Sequence, residues 1–144
     1  MEIISSGKDQ YILRLVYGEE LREQLEKFCK ENSIYAAWLT GIGATQKTEI
    51  GYANLEKRGY DSQHFNEHME ITSLVGNISL KDGEPFVHAH GTFARHSMEL
   101  IGGHIVSCVI SATCEIKLEK LEGELSRKHD EFTGLHLLCA EKSI

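Results

Sequence analysis

The chain has 144 residues, 41% of them hydrophobic, a size at which one domain can bury a sizeable core. Fifteen Lys and Arg against 22 Asp and Glu leave a formal net charge of −7, and no basic cluster is present to contact nucleic-acid phosphates. No apolar run approaches the roughly 20 residues of a membrane span, and the first ten residues lack a secretory-signal layout. We therefore predict a single soluble, cytoplasmic domain over residues 1–144.

The cysteines predict a reduced protein. They are far apart in sequence and include no CxxC pair, and three of them lie in apolar surroundings where cysteine behaves as a small hydrophobe. No cysteine follows a helix start or a basic run that would lower its thiol pKa, and no GxSxG motif occurs. The sequence therefore disfavours covalent catalysis. The four cysteines are Cys29, Cys108, Cys114 and Cys139.

The first two predicted elements are a strand and a helix. Residues 11–18, YILRLVYG, partly alternate apolar and polar side chains, which predicts a half-buried strand. From 19 to 32 apolar residues recur at helical spacing, acidic residues open the segment and Asn32 suits its end. We therefore predict one helix here. Its apolar face consists of Leu21, Leu25, Phe28 and Cys29.

The next segment is interrupted by glycine. Residues 36–55, AAWLTGIGATQKTEIGYANL, predict a strand, a tight glycine turn and a second strand. Gly41 and Gly43 are also compatible with a phosphate loop, but neither GxGxxG nor a P-loop sequence is present. A backbone bend or a close packing contact is the favoured interpretation. A polar connection with room for a short extended piece follows over 56–67.

The second half of the chain predicts further strands. Residues 68–80 are β-branched and apolar, KDGEP supplies a turn, and FVHAHGTF begins the next strand directly after Pro85. Residues 104–121 are long enough for one bent strand or two, and GLHLLCA predicts a closing strand. Many strands around one helix predict an α+β fold with a curled, mainly antiparallel sheet.

Four of the eight histidines fall in residues 87–104, VHAHGTFARHSMELIGGH. Residues i and i+2 of a strand project from one face, so His88 and His90 point together. If ARHSM reverses the chain in a hairpin centred near Ser97, His104 lies opposite His90, with Cβ atoms about 4.5–5.5 Å apart. Three neutral imidazoles and an open position are typical of a zinc site. A solvent-facing polar hairpin is equally compatible with the spacing.

Other residues are weaker candidates for this site. Gly102 and Gly103 precede the third histidine, where glycine permits close backbone approach, a bulge or an ordinary flexible turn. Glu70 lies in a strongly β-forming stretch, where burial would require a histidine, an arginine or a metal as partner. Exposure by alternation is the simpler alternative for Glu70. His64 and His68 are candidates for a fourth ligand that the spacing does not support.

Four segments in order, TGIGAT, MEITSLVGNIS, DGEPFVHAHGTF and GGHIV, resemble the PPC domain, the plants-and-prokaryotes-conserved domain, over about residues 11–139. The resemblance implies an α+β fold similar to that of acetolactate decarboxylase, and a homotrimer with glycine-bearing strands at subunit contacts. It also implies that His88, His90 and His104 gather in a pocket where prokaryotic members can hold a metal ion. Plant members carry AT-hooks and bind DNA; this chain has no AT-hook, and its acidic charge disfavours direct DNA binding.

Two functions are compatible with these features. The first is a trimeric, DNA-associated or regulatory binding module in which a divalent ion, preferably zinc, fixes a hairpin or a subunit pocket. The alternative is a metal-dependent lyase or hydrolase acting on a small anionic or keto substrate. Glu70 and Arg95 are its candidate acid–base groups, and Arg95 also suits a substrate carboxylate or phosphate. The sequence alone does not choose between the two.

Overall fold

The computed structural model describes residues 1–140, which form one helix and nine strands. The elements are β1 Glu2–Ser6, β2 Gln10–Val16, α1 Leu21–Glu31, β3 Ala37–Asn54, β4 Gly59–Phe65, β5 Met69–Lys81, β6 Glu84–Ala94, β7 Leu100–Lys120, β8 Arg127–His129 and β9 His136–Leu138. Seven strands form one sheet in the order β1-β2-β7-β6-β5-β3-β4, with antiparallel pairing throughout. Because β3 also pairs with β7, four of these strands close a ring. The predicted curled α+β fold is confirmed.

The helix forms where its spacing predicts. Glu20 caps its start, the side-chain carboxylate accepting the Glu23 N–H at 2.8 Å. Asn32 ends it, and the Asn32 side-chain amide donates to the Phe28 carbonyl at 2.9 Å. The helix buries the four predicted residues against the sheet: Leu21, Leu25, Phe28 and Cys29.

The predicted glycine turn is wrong, because β3 runs unbroken through it. The pairing of β3 with β5 instead shifts register between Gly41 and Gly43. A Cβ at Gly41 would lie 2.7 Å from the Glu115 carbonyl oxygen, so glycine lets β7 approach closely. Of the predicted segment 104–121, residues 104–120 likewise belong to one strand, β7, whose pairing with β3 contains several register shifts.

The C-terminal segment does not close the main sheet, as GLHLLCA had predicted. It forms β9, which pairs only with β8 in a separate two-stranded sheet. The physical reason lies at the end of β5, beyond its pairing with β3, where the Leu80 N–H donates to the Leu125 carbonyl at 2.6 Å. This contact leads the chain beside β5, so the small sheet, here called the C-terminal hairpin (residues 127–138), lies against the main sheet.

The alternation of burial along β6 separates the core from the histidine face. Val87, Ala89 and Phe93 are buried in the core, whereas His88 and His90 project from the other face. In residues 1–140 no helix is both long enough and apolar enough to cross a bilayer. The single domain over residues 1–144 stays a prediction, and residues 141–144 lie outside the described part.

Candidate metal centre

The hairpin between β6 and β7 has the predicted register. His90 pairs with His104, and Ala94 pairs with Leu100. The turn is closed by the Arg95 N–H, which donates to the Glu99 carbonyl at 3.0 Å. The reversal is therefore centred near residue 97, and the predicted pairing of His90 with His104 is confirmed.

His88, His90 and His104, here called the histidine triad, converge on the outer face of the sheet. The centre of the His88 ring lies 5.2 Å from that of His90 and 5.1 Å from that of His104, and the last two are 5.6 Å apart. One nitrogen from each ring can be chosen so that all three lie within 4.8 Å of one another. His90 is exposed, His88 is half-buried and His104 is buried. The three histidines could therefore hold a metal ion.

Burial keeps two of these imidazoles neutral. It lowers the pKa of His88 to about 4, and the nearby charge of Arg127 acts in the same direction. Burial also lowers the pKa of His104 to about 4, and its two histidine neighbours add to the effect. Both rings are uncharged at pH 7. Neutral imidazole is the form that binds a metal ion, so the electrostatics fit the donor set.

His104 presents a buried nitrogen that is available to bind a ligand. Its Nδ1 atom is buried and has no hydrogen-bond partner within residues 1–140. A buried polar atom left without a partner costs about 1–3 kcal/mol. The ring of Tyr60 stacks on His104 with 4.5 Å between ring centres and 20° between planes. Tyr60 therefore fixes the ring orientation while the nitrogen remains available.

A half-buried arginine from the C-terminal hairpin contacts the triad. Arg127 Nη2 donates to Asn77 Oδ1 at 2.9 Å, and its Nε donates to Ser79 Oγ at 2.8 Å. Its Nη1 donates to the His136 carbonyl at 2.8 Å, and Nη2 lies 3.1 Å from His88 Nδ1. Because arginine only donates, this last contact uses the single lone pair of neutral His88. An ion held through Nδ1 would replace Arg127 there, and Arg127 would keep its other three contacts.

Glycines set how closely the strands around His104 approach. A Cβ at Gly102 would lie 2.5 Å from the Gly91 carbonyl oxygen on β6. A Cβ at Gly103 would lie 2.9 Å from the Gly51 carbonyl oxygen on β3. Glycine at these positions therefore permits close approach on both sides of β7, which places His104 between its neighbours.

The structure does not bring Glu70 and Arg95 to the triad within one chain. Glu70 pairs with Ala94, four residues along β6 from His90, which corresponds to roughly 13 Å of strand. Both line a separate hollow of about 420 Å³. Arg95 donates there to the Glu67 carboxylate at 2.8 Å. Glu70 is exposed, as the simpler alternative predicted from the alternation of side chains along the strand.

Two further histidines also lie away from the triad. His64 is exposed on β4, with Nδ1 3.8 Å from the Glu49 carboxylate. His68 is exposed and lines the hollow of Glu70. The residues that do surround the triad, Arg127 and Tyr60, were not singled out as site residues by sequence. The signal available for Arg127 was its place in the densest basic stretch of an acidic chain, residues 127–129.

The fold and the site together define a class of protein. It is an antiparallel α+β domain in which two neighbouring strands bring three histidines together. The family model described as the Plants and Prokaryotes Conserved (PCC) domain matches residues 3–122, and the chain belongs to this family. The resemblance stated from sequence is thereby confirmed.

Three similar proteins carry descriptions of their own. A metal-containing protein from Archaeoglobus fulgidus is 38% identical, with a TM-score of 0.86 over 97% of this chain and 99% of that one. A candidate DNA-binding protein from Bacteroides thetaiotaomicron is 29% identical, with a TM-score of 0.89 over 94% of each chain. The bifunctional protein GlmU of Synechococcus sp. (strain JA-3-3Ab) is 32% identical over 92% of this chain, which spans 20% of that protein's length.

The fold extends to a more distant enzyme. Acetolactate decarboxylase from Bacillus subtilis subspecies spizizenii is 16% identical, with a TM-score of 0.57 over 81% of this chain and 54% of that one. This likeness concerns the fold alone. It agrees with the fold relationship that the sequence resemblance implies.

Proposed function

We propose that the protein is a homotrimeric binding module that holds a divalent metal ion, zinc, through His88, His90 and His104. The observation that carries the proposal is the convergence of one nitrogen from each histidine within 4.8 Å. Two of these rings are neutral at pH 7, and imidazole suits zinc. The likeness to a metal-containing archaeal protein supports it independently.

The surroundings of the triad hold its ligands in place, as a metal-binding module requires. Three histidine ligands leave one position on a zinc ion, which would supply Lewis-acid chemistry to whatever occupies it. The chain's own residues orient the ligands: Tyr60 stacks on His104, and Arg127 contacts His88. Of the described residues, no Asp or Glu lines the cavity beside the triad, so an acid–base step there would fall to Tyr60, Lys81 or His136.

A metal-dependent lyase or hydrolase is the second candidate, and one observation favours it. A cavity of about 300 Å³ opens beside His88 and His104, with room for a small molecule. A purely structural ion would not need this space. Glu70 and Arg95 would take part only if another copy of the chain brought them there.

The proposal also covers the oligomeric state, the cellular compartment and DNA association. Trp38 and Ile42 on β3 are 47% and 58% exposed, and burial of such side chains between copies would stabilise a trimer. The four free cysteines favour the reducing cytoplasm. A net charge of −7 disfavours DNA contacts by a single chain, so we assign any DNA association to the assembly or its partners.

Elemental analysis by plasma mass spectrometry of untagged protein tests the metal. We expect about one ion per chain, because each chain supplies the three histidines of one open zinc site. The triple variant His88→Ala/His90→Ala/His104→Ala should lose it. The control His64→Ala/His68→Ala/His96→Ala removes three histidines elsewhere and should retain it. A wild type that stays empty after incubation with zinc would overturn the proposal, and native mass spectrometry would show whether three chains assemble.

A further inference from the structure

The lining of the cavity beside the triad includes cationic groups that a metal site does not require. His88 and His104 line this cavity, and the C-terminal hairpin contributes Arg127 and His136 to the same lining. Lys81, at the end of β5, also lines it. The hairpin follows residues 3–122, the part matched by the family model. The cavity lining therefore includes residues outside that match.

Three cationic groups cluster around one residue of this lining, Phe86. Arg22, Lys81 and Arg127 surround the ring of Phe86, with their charged groups 5.2, 5.4 and 5.7 Å from its centre. An aromatic face attracts each cation, but three like charges around one ring also repel one another. An anion among them would relieve that repulsion.

The chain itself supplies little of the required negative charge. Arg22 has a carboxylate partner, with its Nη2 3.3 Å from Glu26 Oε1. Within residues 1–140, no carboxylate lies within 4.0 Å of the charged groups of Lys81 or Arg127. These two cations line the cavity, and no described carboxylate lines it with them. They are thus free of a carboxylate in a chain with an excess of acidic residues.

Arg127 is also fixed in position before any ligand binds. Four of its five N–H groups contact the protein, and one N–H on Nη1 has no such contact. A preorganised donor loses little entropy on binding. The cavity volume of about 300 Å³ suits a ligand of a few heavy atoms.

We propose that this cavity binds a small oxyanion, a carboxylate or phosphate group, between the histidine triad and the cations Arg127 and Lys81. The C-terminal hairpin supplies Arg127 and so selects for negative charge. Arg127, rather than Arg95, is the arginine that would meet an anionic ligand within one chain. The ligand's link to metal chemistry rests on the proposed function above, whereas its contacts with the two cations do not.

Isothermal titration calorimetry tests this directly with three probes. Inorganic phosphate and malonate carry the two oxyanion groups, and malonamide is the neutral analogue of malonate. Each is titrated into chelator-treated protein and into protein reloaded with zinc. We expect phosphate or malonate, but not malonamide, to bind in both states. The tighter of the two identifies the favoured oxyanion.

Variants locate the binding. Lys81→Met keeps the aliphatic length and removes the charge, and Arg127→Gln removes the guanidinium. Each should weaken the oxyanion by about tenfold or more, because one charged hydrogen bond is lost. Lys117→Met, an exposed lysine beside Glu119, is the control and should change nothing. Thermal unfolding of each variant separates lost binding from lost folding. If Arg127→Gln unfolds, Lys81→Met alone tests the site.

The outcomes separate this site from the metal. Binding that persists without zinc and weakens in Lys81→Met supports the proposal even if the histidine triad holds no ion. Binding only with zinc, unchanged in both variants, would mean that the anion contacts the metal alone and would overturn it. Absence of binding in both states, or equal binding of malonamide, would also overturn it.

Discussion

Two polar clusters, one at the C-terminal end of β6 and one nearer its N-terminal half, differ in how their charges are satisfied. At one end, Arg95 donates to the Glu67 carboxylate at 2.8 Å and lies 3.6 Å from that of Glu99. At the other, two histidines are neutral and Arg127 has no carboxylate partner in the described structure. In the first cluster the arginine is paired with carboxylates of the same chain. In the second, lone pairs and positive charge are left facing a cavity.

This difference shows where a ligand has most to contribute. A carboxylate or metal arriving at Arg95 would compete with partners already in place. At the triad, the buried His104 Nδ1 atom has no partner within residues 1–140, and an ion bound through it would satisfy that atom. Unsatisfied polar groups, more than charged residues as such, distinguish the two ends.

The largest expected effect comes from removing one ligand of the triad. His104→Ala should weaken zinc binding by at least about 100-fold, since even outer contacts of metal ligands are worth 10–100-fold. Glu70→Ala, at the other end of the strands, should leave it unchanged. Competition against a chromogenic zinc chelator measures both. Equal losses in the two variants would contradict the assignment of the ligands.

Acid should destabilise the triad end of the chelator-treated protein. His88 and His104 have folded pKa values of about 4, against about 6.5 when unfolded. The unfolded state therefore binds more protons between pH 6.5 and 4, and the free energy of unfolding falls as pH falls through that window. One pKa unit corresponds to about 1.4 kcal/mol, so the loss between pH 6.5 and 4 should be on the order of 5 kcal/mol for the two groups together.

Urea unfolding at several pH values measures this loss. In His104→Gln the dependence should be shallower, because one of the two linked groups is gone. In Arg95→Met it should keep its slope. A stability that stays flat from pH 6.5 to 4 in the wild type would show that burial does not hold these rings neutral.

Packing beside the triad gives a smaller effect. Gly102→Ala would place a Cβ 2.5 Å from the Gly91 carbonyl oxygen, so β6 and β7 must separate. We expect a destabilisation of about 1–3 kcal/mol, the usual cost of overpacking. Gly59→Ala, whose nearest contact would be 4.0 Å away, is the matched control. Thermal unfolding that ranks the two variants in the opposite order would refute the close-approach explanation.

The smallest effect is expected at the other end of β6. Arg95→Met removes an ion pair whose side chains are partly exposed, and such pairs contribute up to about 1 kcal/mol. Urea unfolding should show a loss within that range, with zinc affinity unaltered. A fall in zinc affinity would instead connect Arg95 to the metal centre.

The triad was predictable because it depends on local geometry. His88 and His90 share a face through the period of a strand, and the short turn near residue 97 places His104 opposite His90. The helix was predictable for the same reason, since its apolar spacing and end signals lie within a dozen residues.

What the sequence missed depends on contacts between distant segments. Arg127 reaches His88 from 39 residues along the chain, through a hairpin whose docking no local pattern specifies. Gly41 and Gly43 lie within a continuous strand because β7 packs against them, a contact that local turn propensity does not include. Glu70 was associated with the triad by residue type, and the register of β5 on β6 separates them.

Anomalous diffraction from crystals of zinc-loaded protein, recorded on both sides of the zinc absorption edge, tests the central claim most directly. The account predicts one strong peak per chain that lies among the nitrogens of His88, His90 and His104. The peak should be absent from crystals of the His104→Ala variant. A peak at the Glu70 hollow, or no peak at the triad in fully loaded crystals, would contradict the assignment of this site as the metal centre.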